Sequence, residues 1–342
     1  MKRSFMAALS LVSAVTFADE AFYRGTLGNA TGFSLQIDPT GLSNNSQLLY
    51  DNSGEGGLSL IAQPQKPPAF EWHESLFSRS SGDSKKTGVF QGTFAADGAS
   101  AEGTWSSADG KKKWPFKLTR RARSLRIGDE AQGAWVGYPQ FDDLHLRGLN
   151  AELAQKATTA LTSHQTWVKD MRQELKSSEM PAESIAAVFQ SNDCDILLAR
   201  ADLVSLLCIA YEFAGGAHPN SGYYAENYAI DANGKSRTLG LWSVLKKSPT
   251  AVNLLSERLI RSLKLQKASL VLDGSIKDFK KELEQDTLVF ALSPAGLIFQ
   301  FSPYAVGSYA EGDFRVVVPA KDVAALLQPG LQLRYPDSAD SR

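Results

Sequence analysis

The sequence has few of the residues that usually carry redox or metal chemistry. Its 342 residues include two cysteines and four histidines, and Trp72-His73-Glu74 lacks the second histidine that a zinc-binding helix needs four residues away. We therefore expect no metal and no cofactor. Acidic and basic residues nearly cancel, with a formal net charge of -1 and no long basic run. Because phosphate binding depends on clustered positive charge, we also expect no nucleic-acid partner.

Long apolar runs are also missing, and the one at the N-terminus is short. Lys2 and Arg3 precede an apolar stretch from Phe5 to Phe17, which is shorter than the roughly 20 residues that cross a bilayer. This order is typical of a secretory signal peptide over residues 1–18, with an uncleaved anchor as the alternative. No cysteine follows the run, which argues against a lipoprotein anchor. We expect a periplasmic or secreted protein with no transmembrane segment in the mature chain.

The two cysteines, Cys194 and Cys208, flank a predicted hairpin from Asp195 to Leu207. Their even spacing can place both side chains on one face of paired strands, and exported chains mature in an oxidising compartment. The sequence therefore predicts a disulfide, which stabilises so short a loop by about 3 kcal/mol. Two buried free thiols are the alternative. A catalytic thiol is not expected, since no histidine lies nearby in the sequence.

Residues 19–121 are predicted to form a small all-β domain. Short alternating runs at 33–37, 89–94 and 114–118 are separated by turn sequences such as Asp109-Gly110. This pattern is typical of an antiparallel meander or half-barrel filled by aromatic side chains. The expected interior residues are Tyr23, Phe90, Phe94, Trp105 and Phe116.

Three further features of this domain receive structural interpretations. Trp72-His73-Glu74 is interpreted as a solvated strand end, and Arg120-Arg121-Ala122-Arg123 as a solvated linker between domains. The glycosylation patterns that begin at Asn29 and Asn44 are attributed to chance in a segment rich in serine and threonine. None of the three is assigned a function.

Residues 125–330 are predicted to form an α+β domain, an antiparallel sheet with packed helices, followed by a tail at 331–342. Apolar residues three, four and seven positions apart predict a helix from Leu149 to Lys176, and a second helical region from Leu239 to Leu265 breaks at Pro249. A short helix is expected at 321–327. The expected strands are 186–190, 195–199, 203–213, 223–230, 288–293, 297–302 and 314–319.

Two loops of this domain are rich in turn residues and tyrosine. The first, residues 211–224, contains Gly215-Gly216, which a turn with positive φ explains. The second runs from Pro303 to Gly312 and also joins two strands. If those strands neighbour each other in one sheet, the loops converge at one edge. The side chains expected to meet there are His218, Tyr223, Tyr304, Tyr309 and Glu311.

Tyrosines with a histidine and a carboxylate suit a protein- or glycan-binding surface, because tyrosine combines rigid contact area with a polar tip. The alternative is that the glycines and Pro303 only shape turns while the tyrosines pack. A catalytic His218 would need a charged partner and a nucleophile or metal, and no Gly-x-Ser-x-Gly or Ser-x-x-Lys motif is present. Asp143-Leu144-His145 is interpreted as an ordinary loop after a strand. No catalytic residue is assigned.

Several motifs occur together in this domain. They are Tyr138-Pro139-Gln140-Phe141, Leu149-Asn150, Gly215-Gly216-Ala217-His218-Pro219-Asn220, Leu239-Gly240-Leu241 and residues 301–312. They resemble the exported domain of unknown function in RsiV-type lysozyme-sensing anti-sigma factors, which also precedes the catalytic part of PdaC-type peptidoglycan deacetylases. The resemblance covers about residues 125–330 and implies a lysozyme-binding type of domain. Neither a sigma-binding part nor a polysaccharide deacetylase domain is recognised, so neither role is implied.

The sequence thus predicts a periplasmic cell-envelope binding protein that recognises or inhibits lysozyme or a related muramidase, or binds peptidoglycan. The alternative is a peptidoglycan-modifying hydrolase or deacetylase-like enzyme whose site includes His218 and Glu311. The absence of a nucleophile motif favours the binding protein.

Overall fold

The computed structural model describes residues 20–28, 31–37, 46–51, 58–78 and 82–335. The predicted signal peptide, the asparagines of both glycosylation patterns and most of the predicted tail lie outside these ranges. Among the helices of the described residues, none combines the length and the apolar character that crossing a membrane requires.

The described part of residues 20–129 forms an antiparallel barrel of eight strands. They are β1 (Ala21–Leu27), β2 (Thr31–Ile37), β3 (Gln47–Tyr50), β4 (Leu58–Gln63), β5 (Ala69–Ser78), β6 (Asp83–Phe94), β7 (Ser100–Ser107) and β8 (Lys113–Asp129). Each strand pairs with the next, and β1 also pairs with β8. The predicted meander is confirmed, and the pairing of β1 with β8 closes it into a barrel.

Aromatic side chains fill the barrel as the alternating pattern predicted. Tyr23, Phe90, Trp105 and Phe116 are buried in one cluster, and Phe94 packs against it half-buried. The interior leaves no room for a side chain at Gly92, where a Cβ would lie 2.7 Å from the Phe70 ring.

The predicted strand end at Trp72-His73-Glu74 is wrong. These residues lie within β5, and Trp72 and Glu74 point into the barrel. The Glu74 carboxylate accepts hydrogen bonds from the Tyr50 hydroxyl (2.8 Å), the Trp105 indole (2.8 Å) and the Thr87 hydroxyl (2.6 Å). These donors compensate the burial of the carboxylate, which the sequence pattern alone could not show.

The predicted linker at Arg120-Arg121-Ala122-Arg123 is also wrong, because β8 runs through it without a break. Ala122 is fully buried, and the second half of β8 pairs with the first strand of the next unit. The Arg120 guanidinium donates to the Asp142 carboxylate at 2.8 Å, so this part of β8 is fixed to the residues that follow β9. A single strand therefore connects the two units.

The second unit continues the same sheet and covers one face of it with a long helix. Its elements are β9 (Ala134–Phe141), α1 (Arg147–Ser177), α2 (Ala182–Ala186), β10 (Phe189–Ala199), β11 (Leu203–Phe213), β12 (Asn220–Ile230) and β13 (Ser236–Thr238). β10 pairs parallel to β9, and the remaining pairs are antiparallel. The predicted apolar helix face is confirmed, with Leu149, Leu153 and Val168 buried.

The predicted strands 186–190 and 195–199 are one strand, β10, and α2 occupies residues up to Ala186. The polar residues in the middle of β10 look like a loop in the sequence. In the structure they continue the strand, because their side chains form hydrogen bonds within the protein. The Asn192 amide bonds the buried His164 ring at 2.9 Å and donates to the Tyr224 hydroxyl at 2.9 Å.

The second unit also includes the last third of the chain, which packs against the other face of this sheet. Its elements are α3 (Leu241–Val244), α4 (Pro249–Leu265), α5 (Ser269–Leu272), α6 (Lys280–Glu284), β14 (Phe290–Ser293), β15 (Gly296–Phe301), β16 (Phe314–Pro319) and α7 (Ala320–Val323). β14, β15 and β16 form a separate antiparallel sheet. β15 is buried along its whole length, because helices cover one face and β10–β12 the other. The predicted α+β class and the break at Pro249 are confirmed.

Buried side chains fix this second sheet in place. The Ser205 hydroxyl accepts from the Leu292 amide at 2.7 Å, and the Asn227 amide donates to the Phe290 carbonyl at 2.9 Å. Ser205 and Asn227 also bond each other at 2.6 Å. The edge of β14 is therefore satisfied by side chains from β11 and β12.

The predicted disulfide is confirmed. Cys194 and Cys208 lie directly opposite each other on β10 and β11, with their Cα atoms 4.0 Å apart. The hairpin between them is the one that the sequence predicted.

Candidate functional site

The two loops singled out in the sequence meet at one end of the second unit. The first loop, residues 214–219, joins β11 to β12, and the second, residues 302–313, joins β15 to β16. The Tyr309 hydroxyl donates to the Pro219 carbonyl at 2.8 Å, and the Tyr223 amide donates to the Ser302 hydroxyl at 3.0 Å. The expected convergence is present, but the expectation of one shared sheet is wrong. The loops belong to two stacked sheets.

Three aromatic rings form the outer surface where the loops meet, and we call His218, Tyr304 and Tyr309 the paired-loop surface. The His218 ring stacks on the Tyr309 ring with centroids 3.9 Å apart and an interplanar angle of 22°. The Tyr304 ring lies 5.6 Å from Tyr309 and is 60% exposed. His218 is exposed as well, and its Nδ1 lies 3.0 Å from the Pro219 carbonyl oxygen.

Tyr304 is displayed by a backbone conformation that side chains rarely adopt. The Ala305 amide donates to the Ser302 carbonyl at 3.0 Å, which closes a turn with Pro303 and Tyr304 at its centre. Tyr304 has φ 71°, a value for which such a turn normally uses glycine. Strain of this kind persists where the surrounding structure enforces it and is typical of functional positions.

Glu311 supports the second loop from behind. Its carboxylate accepts from the Ser269 hydroxyl at 2.6 Å and from the amides of Ser269 (3.0 Å) and Ser308 (2.6 Å). The Ser269 hydroxyl and the Ser308 amide lower the pKa of Glu311 to about 2, so the carboxylate is ionised. Its role in the structure is to anchor the loop to α5.

Tyr223 lies beneath the paired-loop surface. It packs half-buried against the apolar cluster between the two sheets, to which Leu207 and Ile298 belong. Burial raises the pKa of its hydroxyl to about 12, so the group stays protonated. Of the five predicted binding residues, the structure therefore places three on the surface and two below it.

The predicted turn residues divide in a similar way. Gly215 has φ 81° and Gly312 has φ 72°, which are conformations that favour glycine. A Cβ on Gly215 would also lie 3.0 Å from the Leu175 side chain. Gly216 faces open space, and Pro303 occupies the first central position of the Tyr304 turn. The backbone thus favours glycine near the start of the first loop, at Gly215, and near the end of the second, at Gly312.

A second aromatic feature, which the sequence did not reveal, lies beside the first loop. Trp135, Phe189 and Tyr211 stand on β9, β10 and β11, with successive ring centroids 5.6 and 5.4 Å apart. We call these three residues the aromatic row. They are half-buried, and Phe213 extends the row to the start of the first loop, 6.3 Å from Phe189. In the sequence, only the alternation of Tyr211 and Phe213 pointed to this row. The other rings join it through the register of three strands, which the sequence does not show.

The Asp143-Leu144-His145 segment serves local structure, as interpreted from the sequence. The Asp143 carboxylate accepts from the His145 amide at 2.9 Å and caps a short 3-10 helix. His145 Nε2 lies 2.9 Å from the Asp231 carbonyl oxygen. Within the described ranges, no group of three or more His, Cys, Asp or Glu side chains is arranged to hold a metal ion.

Two family models match the second unit. Residues 132–221 match the model described as "Deacetylase PdaC", and residues 244–321 match "Protein of unknown function (DUF3298)". The second unit thus carries a PdaC-type segment followed by a DUF3298 segment. These matches confirm the resemblance of the motifs to a domain of unknown function that is also found in PdaC-type proteins. His218 comes from the first segment, whereas Tyr304 and Tyr309 come from the second.

The solved structures that are similar to this chain include two DUF3298 family proteins. A DUF3298 family protein from Pseudomonas aeruginosa PAO1 is 15% identical, with a TM-score of 0.39 over 63% of this chain and 96% of that one. A member of the DUF3298 family from Bacteroides fragilis NCTC 9343 is 18% identical, with a TM-score of 0.37 over 61% and 93%. No curated protein has a sequence that matches this chain.

Proposed function

We propose that this is an exported binding protein of the cell envelope, periplasmic or secreted, which recognises its ligand through the paired-loop surface. The observation that carries the proposal is the stacking of His218 on Tyr309 beside the exposed, strained Tyr304. A ring cluster held rigidly by both family segments loses little entropy on binding, and tyrosine and histidine provide polar tips for orientation. Export is supported by the N-terminal sequence.

The partner we propose is a lysozyme-type muramidase or peptidoglycan itself. The resemblance to RsiV-type proteins, whose domain binds lysozyme, supports the first. The neighbouring aromatic row supports a ligand that extends beyond the loops, across the strands from β11 to β9. Since adjacent strands are about 4.8 Å apart, the row adds about 10 Å to the contact.

Titration of the purified protein with lysozyme, with residual lytic activity as a second readout, tests the muramidase version. We expect Tyr304→Ala and His218→Ala each to weaken binding about tenfold or more, as central aromatic contacts usually do. Phe77→Ala, an equally exposed aromatic on the barrel, is the matched control. If no complex forms and the lytic activity is not inhibited, lysozyme is eliminated as the ligand. A pull-down with insoluble peptidoglycan then tests the glycan version.

A peptidoglycan-modifying hydrolase or deacetylase-like enzyme is the second candidate, because the PdaC-type match is described as a deacetylase. Incubation with purified peptidoglycan, followed by assays for released fragments and acetate, distinguishes it from a binding protein. Activity that persists in His218→Ala would show that any reaction takes place elsewhere.

A further inference from the structure

The outer ends of β5 and β6, at Phe77 and Ser84, lie at the same end of the barrel as the β7–β8 turn. Successive strands alternate in direction, so β8 leaves for the second unit from the opposite end. The β7–β8 turn contacts β6 directly, because the Ala108 amide donates to the Thr87 carbonyl at 3.0 Å and Gly88 pairs with Ser107. The outer part of β6 and the β7–β8 turn are therefore adjacent at the end of the barrel away from the connecting strand.

This surface is basic although the whole chain is not. Residues 82–87 and 107–115 contain five lysines against two aspartates, whereas the chain has a formal net charge of -1. All five lysines are exposed, and Asp109 lies 3.8 Å from Lys111. The lysines are Lys85, Lys86, Lys111, Lys112 and Lys113.

Two large aromatic side chains stand among these lysines. Phe77 is 59% exposed and Trp114 is 40% exposed. Lys112 Nζ lies 5.9 Å from the Trp114 ring centroid, and the Trp114 ring stacks on the Trp105 ring with centroids 5.1 Å apart. We call these lysines together with Phe77 and Trp114 the basic tip.

Phe77 lies near the outer end of the β5–β6 hairpin, where it pairs with Ser84. Among the described residues, β4 pairs with β5 as far as Ser75 and β7 pairs with β6 as far as Gly88. Phe77 is therefore about 7 Å along the strand from the last described pair of β4 and β5. Its exposed side chain is available for an interface.

We propose that the basic tip docks the protein on a membrane surface that carries anionic lipid headgroups. Lysines near such a surface gain electrostatic energy from its negative potential, and Phe and Trp side chains partition into the interfacial region. A single-stranded nucleic acid is less suitable, since its bases stack on successive free rings and one face of Trp114 is already covered by Trp105. The surface is distinct from the paired-loop surface and does not depend on its ligand.

Co-sedimentation of the purified protein with phosphatidylcholine vesicles, with and without phosphatidylglycerol, tests this proposal. We expect binding only to the vesicles with phosphatidylglycerol, and we expect it to weaken as salt rises. Exchanging Lys111, Lys112 and Lys113 together for glutamine should weaken binding by at least about tenfold. The matched control exchanges the exposed Lys277, Lys280 and Lys281 of the second unit for glutamine and should leave binding unchanged. Phe77→Ser, at an exposed position, should also weaken binding without affecting the fold.

Several results would overturn the proposal. Absence of binding to anionic vesicles, equal loss in both triple variants, or full binding by Phe77→Ser would each do so. Displacement by soluble glycerophosphate at matched phosphate concentration would reassign the tip to free phosphate compounds. Binding to a single-stranded oligonucleotide in preference to vesicles would reassign it to nucleic acid.

Discussion

The two walls of the barrel have opposite surroundings. The wall formed by β1–β3 is covered by the second unit, and β2 is buried on both faces from Gly32 to Ile37. The wall formed by β5–β7 faces solvent, so that in β6 the buried Gly88 and Phe90 alternate with less buried neighbours. Outward-facing polar groups on the covered wall must therefore find partners within the protein, whereas those on the open wall can use water.

The covered wall finds its partners in two places. The Gln36 amide bridges β10, where it accepts from the Ile196 amide at 2.7 Å and donates to the Cys194 carbonyl at 3.4 Å. The Arg24 guanidinium donates to the Asp51 carboxylate at 2.6 Å and lies 4.1 Å from the centre of the Tyr335 ring. These contacts join the barrel to the hairpin and to the end of the described chain.

The largest effect is expected from Arg24→Ala, which leaves the buried Asp51 carboxylate without this guanidinium. Loss of one partner of a buried ion pair lowers the free energy of unfolding by about 3–5 kcal/mol. On the open wall, Lys111→Ala removes an exposed, solvent-screened pair and should leave stability nearly unchanged. Urea denaturation of both variants measures the contrast. Equal losses would mean that the walls do not differ energetically.

A smaller effect is expected from Gln36→Leu, because it leaves a buried amide and a carbonyl of β10 without this bridge. The expected loss is about 1–3 kcal/mol. Gln91 is the matched control, since it also faces outward but lies exposed on β6, where its side-chain amide donates to the Glu71 carboxylate in an exposed hydrogen bond of 2.9 Å. Gln91→Leu should be nearly neutral in the same denaturation experiment. If Gln36→Leu leaves the free energy of unfolding unchanged, water replaces the hydrogen bonds of the Gln36 amide.

This contrast also explains what the sequence could and could not predict. Alternation identified the inward aromatic residues of the barrel, but Gln36 and Gln91 look alike in sequence, so the docking of the units was hidden. The paired loops were predicted from Gly215 and Gly312, whose turn chemistry is local. Their convergence was expected in one sheet and instead results from stacking of two sheets, because sheet stacking depends on long-range contacts such as those of Ser205 and Asn227.

The last expected effect depends on pH and lies at the joint between the walls. Asp195 on β10 accepts a hydrogen bond from Gln47 of the covered wall. Burial raises the pKa of Asp195 from its ordinary 3.8 to about 6, although Arg315 opposes the shift and Asp193 adds to it. Between about pH 4 and 6 the folded protein thus binds more protons than the unfolded one, and Asp195 makes stability fall as pH rises.

Asp195→Asn should remove this contribution, so the variant gains stability relative to the wild type as pH rises from 4 to 6 and keeps that gain above pH 6. Melting temperatures of both proteins across this range measure the difference. Asp109→Asn is the control on the open wall, where hydrogen bonds from the Ser107 hydroxyl and the Lys111 amide lower the pKa of the carboxyl. Its difference from the wild type should have the opposite sign, because a carboxyl with a lowered pKa stabilises the fold when ionised. If the melting temperatures of Asp195→Asn and the wild type change in parallel with pH, water reaches Asp195. The contact between β10 and the covered wall is then as solvated as the open wall.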